Sequence, residues 1–394
     1  MNFWTCHKAA HLAAGTAISL AMGTAAIAED KVVKVGLALA QTEFMALWDQ
    51  PTSVGVQIAF DEINAADHGV KFETVSQDTR SESAQSILIT REMIDQDIDV
   101  LVMSAGNADI YAVSPLVQQA GLLTFSPQSS FPDMNYVGDG WIKSATGPDN
   151  GYPTHIARFA VEELEAKTAY IHWSPDDPFL ENTPKYFQRE FEKMGGTTIG
   201  DGSYSVFQQE FGNTVQDIKN LPEEPDVIFT STFEPDFPIF LKQLRAAGVN
   251  SAVIDSGSVD TPTTLALGEG YNNVYFPIER PENIDSHPAL ANYKTKIEEF
   301  YGDASFLDSF TLTAYIWAYM LLDAVKETGS TDSADLKAWF DSLVDHETPY
   351  NTYTYKGSNT PLTTYYIVEL DGGKYTYHKA VRFDSLEDAQ PAIR

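Results

Sequence analysis

The stretch Ile98–Met134, which reads IDVLVMSAGNADIYAVSPLVQQAGLLTFSPQSSFPDM, decides the fold. Ile98–Met103 is a short apolar run rich in β-branched residues, and its turn leads into a helix that we expect Asn107 to cap and Gly121 to end. Leu122–Ser126 is a second strand of the buried type, and Pro-Gln-Ser-Ser follows it. In a parallel sheet both turns lie at the carboxyl ends of adjacent strands, where open α/β sheets bind ligands. Their free N–H groups and hydroxyls suit a carboxylate or another small polar group.

Strands and helices alternate on both sides of this stretch. Val32–Leu39 and Val70–Ser76 are earlier strands, each followed by a helix, and a second alternating series begins near Asn150. The alternation predicts an α/β protein with mainly parallel sheets and helices on both faces. With 394 residues the chain is too long for one ordinary core, and no low-complexity linker divides it. We therefore expect two similar lobes, each a small doubly wound sheet.

Residues 1–28 differ from the rest and are typical of a secretory signal peptide. One lysine precedes a mostly apolar run, and Ala26-Ile27-Ala28 forms an A-x-A cleavage pattern. A membrane anchor is the alternative, but the run is short and rich in Ala and Gly. Cys6, the one cysteine, precedes the run, which predicts a mature chain without a lipid anchor or a disulfide. No later segment is long and apolar enough to predict membrane insertion.

Charge and motifs narrow the function classes. The net charge of −31 repels nucleic acid and anionic membranes, and its dispersal along the chain indicates a solvated acidic surface. The sequence contains no H-E-x-x-H, P-loop, G-x-S-x-G or EF-hand motif, and its histidines have no metal-ligand spacing. We expect no metal, no cofactor and no enzymatic activity. A periplasmic hydrolase remains an alternative.

Several segments in order resemble a type I periplasmic substrate-binding protein of an ABC transporter, in the leucine/isoleucine/valine-binding family. The resemblance covers essentially the whole mature chain and rests on these segments: VVKVGLALA after the signal, AFDEINAADHG (Ala59–Gly69), QDTRSESAQSILITREMI (Gln77–Ile94), AGLLTFSPQSSFPDM (Ala120–Met134) and FEPDFPIFLKQLRAAG (Phe233–Gly248). It implies two α/β lobes joined by a three-stranded hinge, with the ligand cleft between them. The lobes would comprise residues 31–147 plus 278–345 and residues 148–277 plus 346–394.

The resemblance also implies a set of ligand-binding residues. Polar anchors would come from the two turns of the first lobe, and aromatic walls from both lobes. The residues that match are Asn107, Ala108, Gln128, Ser129, Ser130, Trp48, Phe179 and Phe233. Purely structural roles stay open for them, because the serines and Asn107 could serve only as caps and the aromatic residues could belong to the core.

One position departs from the family pattern. Amino-acid-binding members hold the ligand ammonium with an acid after the strand that here ends in Ile254-Asp255. The resemblance puts Ser256 in that place and Asp255 one residue away, where it could be an ordinary turn residue. If Asp255 faces the cleft, it would complement an ammonium group. If it does not, an amide, an aromatic carboxylate or another small organic compound becomes the expected ligand.

The resemblance implies a monomeric periplasmic solute receptor that delivers a small polar ligand, first of all an amino acid, to an ABC transporter membrane permease. An alternative function for the same fold is that of a ligand-sensing partner of a membrane receptor. No nucleic acid is an expected partner, because the charge is of the wrong sign.

Overall fold

A computed structural model describes residues 30–282, 288–302 and 308–383 of the chain. The strands in these ranges are β1 Lys31–Leu39, β2 Val70–Asp78, β3 Val100–Met103, β4 Leu123–Phe125, β5 Ile142–Lys143, β6 Thr168–Trp173, β7 Thr197–Ser203, β8 Val227–Thr230, β9 Ala252–Asp255, β10 Val274–Ile278, β11 His346–Glu347, β12 Thr352–Tyr353, β13 Thr364–Asp371 and β14 Lys374–Arg382. The helices are α1 Ala46–Ala65, α2 Ser83–Asp95, α3 Asn107–Ala120, α4 Gly151–Glu162, α5 Pro178–Lys193, α6 Gly212–Lys219, α7 Asp236–Ala246, α8 Pro262–Leu265, α9 Ala291–Tyr301, α10 Ser309–Thr328 and α11 Ser333–Ser342. The expected signal peptide and the last residues of the second lobe lie outside the described ranges.

The first sheet has the order β2-β1-β3-β4-β5, and its neighbouring strands are parallel. Alternate residues of β1, such as Val33, Val35 and Leu37, pack in one core with α1, α10 and α11. Ala38 and Leu101 point to a second core with α2 and α3 on the opposite face. Because both faces are covered by helices, this sheet is doubly wound. We call it and its helices the first lobe.

The second sheet has the order β14-β13-β10-β9-β8-β6-β7. Strands β10, β9, β8, β6 and β7 are parallel, and the hairpin β13–β14 adds two antiparallel strands at one edge. Two separate apolar cores cover its faces, one around Phe240 and Val253 and the other around Phe187 and Phe229. We call this sheet with its helices the second lobe.

The chain passes between the sheets after β5, after β10 and after α11, and these crossovers lie side by side. The Glu279 carboxylate, just after β10, accepts a hydrogen bond from the Gly147 amide of the first crossover at 2.9 Å. The Tyr355 hydroxyl of the third crossover donates to the Ser144 carbonyl, and the Ser144 amide donates to the Asn359 carbonyl at 2.7 Å. The crossovers are therefore tied into one unit at the base of the space between the lobes.

The expected fold class, two doubly wound α/β lobes, is confirmed. The exact lobe boundaries stay a prediction. One local expectation was wrong. The cap position of α3 is Gly106, and Asn107 is the first helical residue. The short strands β5 and β11 were not foreseen, because two-residue strands carry no periodic signal.

Two helix starts position residues of the candidate site. Helix α1 begins at Ala46, so Trp48 lies in its first turn. The buried Asp49 carboxylate accepts hydrogen bonds from the Ala40 amide at 2.8 Å and the Ala105 amide at 3.1 Å, which ties the loop after β1 and the turn after β3 to the start of this helix. Helix α5 begins at Pro178, because Asp177 caps it and proline fits the first turn.

No helix in the described part of the chain combines the length and the apolar character needed to cross a membrane.

Candidate ligand-binding site between the lobes

A cavity of about 930 Å³, open mouth included, lies between the two lobes. Its walls come from the segments that follow the carboxyl ends of strands in both sheets, from the crossovers and from the first turns of α10. This is the edge at which open α/β sheets place ligands.

Aromatic rings from both lobes meet across the mouth of the cavity. Phe233, after β8, lies 4.9 Å from Trp48 and 5.7 Å from Phe44 between ring centroids. Phe179, in the first turn of α5, stacks on Phe233 at 5.7 Å with an interplanar angle of 13°. Phe44 also contacts Phe207 of the second lobe edge-on at 5.0 Å. The contacts between rings of different lobes hold the lobes in a closed arrangement, each worth about 0.5–1.5 kcal/mol beyond burial.

The first lobe contributes a polar wall whose side chains are already oriented. The Ser129 hydroxyl donates to the Asn107 side-chain oxygen at 3.0 Å, and the side-chain amide of Gln128 donates to the Phe310 carbonyl at 2.8 Å. Helix α3 begins at Asn107, so its first N–H groups have no carbonyl partner within the helix. Beneath this wall, burial raises the pKa of Asp49 to about 7. This wall offers hydrogen-bond donors and acceptors to the polar end of a ligand.

The crossovers contribute a carboxyl group, Glu279, to the base of the cavity. It accepts hydrogen bonds from the Gly147 amide and the Thr146 hydroxyl, both at 2.9 Å, and from the Tyr152 hydroxyl. The Thr313 hydroxyl of α10 donates to its other oxygen at 3.3 Å. Burial raises the pKa of Glu279 although these groups donate to it. Glu279 thus joins the first crossover, α4 of the second lobe and α10 of the first lobe.

Two further carboxyl groups line the same cavity. Asp149 lies in the first crossover and accepts a hydrogen bond from the Ser130 hydroxyl. Burial, together with the charges of Asp177 and Glu279, raises the pKa of Asp149 to about 7. Asp177 caps α5 by accepting from the Phe179 amide at 2.7 Å, and burial raises its pKa as well. The cavity is therefore acidic on the side of the crossovers and α5.

The turn after β9 supplies the remaining polar wall. The Asp255 carboxylate is fully buried and accepts from the amides of Gly257 at 2.8 Å and Ser258 at 3.2 Å, so it shapes the turn from behind. Burial raises the pKa of Asp255 to about 7. Ser256, in contrast, lines the cavity, and its hydroxyl is buried with no hydrogen-bond partner among the described residues. A hydroxyl in that state is suited to a ligand atom.

The structure brings six of the nine residues that the sequence suggested to the cavity wall. They are Trp48, Asn107, Gln128, Ser129, Phe179 and Phe233. Ala108 is exposed on α3 outside the lining. Ser130 is fully buried behind Asp149, and Asp255 lies behind its own turn. The last two can act on a ligand only through the neighbours that they position.

The sequence reasoning missed the lining residues of the crossovers, α4 and α10, above all Asp149, Tyr152, Glu279 and Phe310. Asp177 lies between prolines in an acidic segment, a pattern more typical of a solvated loop than of a cavity wall. Each acid does follow a strand by a few residues, which is a usable signal. It carries little weight in a chain with 56 acidic residues, because many acids satisfy it.

The described residues that line the cavity include three carboxyl groups and no Lys, Arg, His or Cys. Arg280 follows Glu279, but its guanidinium lies 3.8 Å from Asp260 and over the ring of Tyr375, which directs it into the second lobe. No group of three or more His, Cys, Asp or Glu side chains within the described ranges is arranged to hold a metal ion. The cavity lining thus holds three carboxyl groups with no positively charged side chain beside them among the described residues.

Comparison with known proteins gives a consistent picture. The family described as Periplasmic binding protein matches residues 32–374. The Leu/Ile/Val-binding protein of Escherichia coli (strain K12) is 22% identical over 276 residues, which covers 69% of this chain and 73% of that protein. The Leu/Ile/Val-binding protein homolog 3 of Brucella melitensis biotype 1 is 22% identical over 365 residues, or 91% of this chain and 96% of that one.

Solved structures show the same fold. The branched-chain amino acid transporter substrate-binding protein of Streptococcus pneumoniae, in complex with isoleucine, superposes with a TM-score of 0.78 at 18% identity, covering 90% of this chain and 100% of that one. A solute-binding protein of an ABC transporter from Rhodopseudomonas palustris BisB5, in complex with 3,4-dihydroxybenzoic acid, gives 0.75 at 18% identity, covering 90% and 97%. Two lobes, a cavity between strand ends and a family match over most of the chain agree: this chain belongs to the periplasmic binding protein family.

Proposed function

We propose that the protein is the solute receptor of an ABC transporter and carries a small polar organic solute from the periplasm to a membrane permease. One observation carries the proposal: the cavity has walls from both lobes, and the rings of Trp48 and Phe233 meet across it. A solute in this cavity contacts both lobes at once and therefore binds the closed form better than an open one. This difference in affinity shifts the equilibrium between the open and closed forms towards the closed form. The closed form is the one that a permease can recognise.

An amino acid is the first candidate solute. The names of the relatives support it, as does a polar first-lobe wall that faces aromatic rings. A second candidate is an aromatic carboxylate, because solved neighbours of this fold hold 3,4-dihydroxybenzoic acid, benzoate and 4-hydroxybenzoate. The acidic lining speaks against that candidate, since like charges repel in a cavity shielded from water.

The proposed protein does no chemistry on its solute and acts as a monomer. The acids of the cavity occupy positions that bind and orient, and the described lining offers no serine–histidine pair or thiol. The free energy of solute binding does the work by closing the hinge. A role as the ligand-sensing partner of a membrane receptor would use the same closure with a different recipient.

A thermal-shift screen of the purified protein tests the proposal. The panel contains amino acids, amines, amides, small carboxylates and quaternary ammonium compounds. A solute that binds only the folded form stabilises it by about 2.7 kcal/mol at a hundredfold excess over its dissociation constant. Deleting the gene should then abolish uptake of the solute that binds. Turnover of a compound in place of stable binding would refute the receptor, and unaltered uptake would favour the sensor.

A further inference from the structure

Three buried or half-buried carboxyl groups converge on one end of the cavity with no cation beside them among the described residues. Asp149 comes from the first crossover, Glu279 from the second, and Asp177 from the start of α5. Their mutual influence is direct, because the charges of Asp177 and Glu279 both act on Asp149. Closing the lobes over such a cluster removes water that would otherwise screen these charges. The described residues of the cavity lining thus supply no positively charged partner for these carboxyl groups, and a ligand could supply one.

An independent feature of the same cavity also calls for a ligand. Ser256 is 2% exposed and lines the cavity, and its buried hydroxyl has no hydrogen-bond partner among the described residues. Leaving a buried hydroxyl unpaired costs roughly 1–3 kcal/mol. It stands where the resemblance places the acid that holds an ammonium group in related proteins, so this chain has a hydroxyl there and its acids elsewhere. The positive end of a ligand is thus drawn to the acids of the crossovers and α5.

The rest of the cavity suits an organic cation better than a bare metal ion. The aromatic residues Phe179 and Tyr152 belong to the same lining as the acids, and aromatic rings attract ammonium groups. The carboxyl groups are not clustered as metal ligands within the described residues. The net charge of −31 would also steer a cation towards the protein.

We propose that the solute carries a positively charged nitrogen, which binds between the carboxylates of Asp149, Asp177 and Glu279 at the crossover end of the cavity. This inference rests on the proposed solute-receptor function and narrows it to amines and zwitterions. The remainder of the solute lies towards Trp48 and Phe233. A simple carboxylic acid is disfavoured, because it would bring a further acidic group into an enclosed site that already holds three carboxyl groups.

The test varies the charge of a ligand at nearly constant shape. One series is leucine, isoamylamine and 4-methylpentanoate, and the other is phenylalanine, 2-phenylethylamine and 3-phenylpropanoate. Calorimetric titration should detect the amino acid or the amine in at least one series and neither acid. Tighter binding of 4-methylpentanoate or 3-phenylpropanoate than of the amino acid and amine would overturn the inference.

A matched pair of variants places the cation within the site. Asp177→Asn removes the charge but keeps a side chain that caps α5 well, so the helix should survive. Affinity for the bound amine or amino acid should fall roughly 10- to 100-fold, as expected for a lost charge-assisted hydrogen bond. Glu181→Gln removes an acid from the same helical turn, where Glu181 pairs with Lys185 outside the cavity, and should change affinity less than about twofold. Melting temperatures check that both variants fold.

The outcomes separate this inference from the function on which it rests. Unchanged affinity in Asp177→Asn would overturn the inference while leaving the receptor role intact. Binding of neutral amides alone in the wider screen would do the same. If no compound of the screen binds, the receptor proposal fails and the inference fails with it.

Discussion

Replacing Phe233 by alanine should weaken solute binding by opening the cleft. The Phe233 ring makes two contacts that cross between the lobes, with Trp48 at 4.9 Å and with Phe44 at 5.7 Å. Each aromatic pair is worth about 0.5–1.5 kcal/mol, so Phe233→Ala removes about 1–3 kcal/mol from the closed form. Because the solute binds the closed form, its affinity should fall by the same free energy, roughly 5- to 150-fold.

Calorimetric titration with the solute that gives the largest thermal shift measures this effect. Phe233→Leu keeps apolar bulk without a ring and should lie between wild type and Phe233→Ala. Tyr111→Ala also deletes an exposed ring contact, with Phe131 at 5.2 Å, but lies outside the cavity lining and should leave affinity unchanged. If Phe233→Ala binds as tightly as wild type, the rings do not hold the lobes closed and the reasoning is refuted.

The remaining predictions concern charge and close packing. Burial raises the pKa of Asp149 to about 7, and a bound cation favours the ionised form of this carboxyl group. The affinity for a cationic solute should therefore fall roughly tenfold for each pH unit below 7. A flat profile in calorimetric titrations from pH 8 to 5.5 would contradict this. The raised pKa also means that the folded protein favours the protonated form of Asp149, so the ligand-free protein loses this contribution to its stability as the pH rises through 7. Asp149→Asn should therefore raise the melting temperature at pH 8 but not at pH 4. The same variant should bind the amine more weakly at pH 8. At Gly55, where α1 crosses α10, an added Cβ would overlap the Thr311 carbonyl oxygen, so Gly55→Ala should lower the free energy of unfolding in denaturant by about 1–3 kcal/mol. Gly212 has open space around it, so Gly212→Ala should leave this free energy unchanged. Equal stabilities of the two variants would refute the close approach of α1 and α10.

The fold could be predicted because its signals are local and repeated. The strands Lys31–Leu39 and Val70–Asp78 differ by at most two residues from the predicted Val32–Leu39 and Val70–Ser76. The carboxyl ends of parallel strands share an edge, so Asn107, Gln128 and Ser129 could be placed together before any coordinates.

The acids of the site could not be predicted in the same way. Glu279 reaches the cavity because it hydrogen bonds to Gly147, a partner 132 positions away in the chain. No local pattern records such a crossover contact. Ser130 and Asp255 show the opposite error, since each lies one residue from a lining residue and its side chain turns behind the wall. A one-residue step in an extended segment reverses the direction of the side chain.

Small-angle X-ray scattering of the protein with and without a saturating solute tests the central claim most directly. The claim is that a solute binds between the lobes and closes them, so the complex should have a smaller radius of gyration than the ligand-free protein and should fit the closed arrangement in which Phe233 meets Trp48. Calorimetry on the same samples would establish that the solute is bound. Identical scattering from the bound and the ligand-free protein would contradict the account.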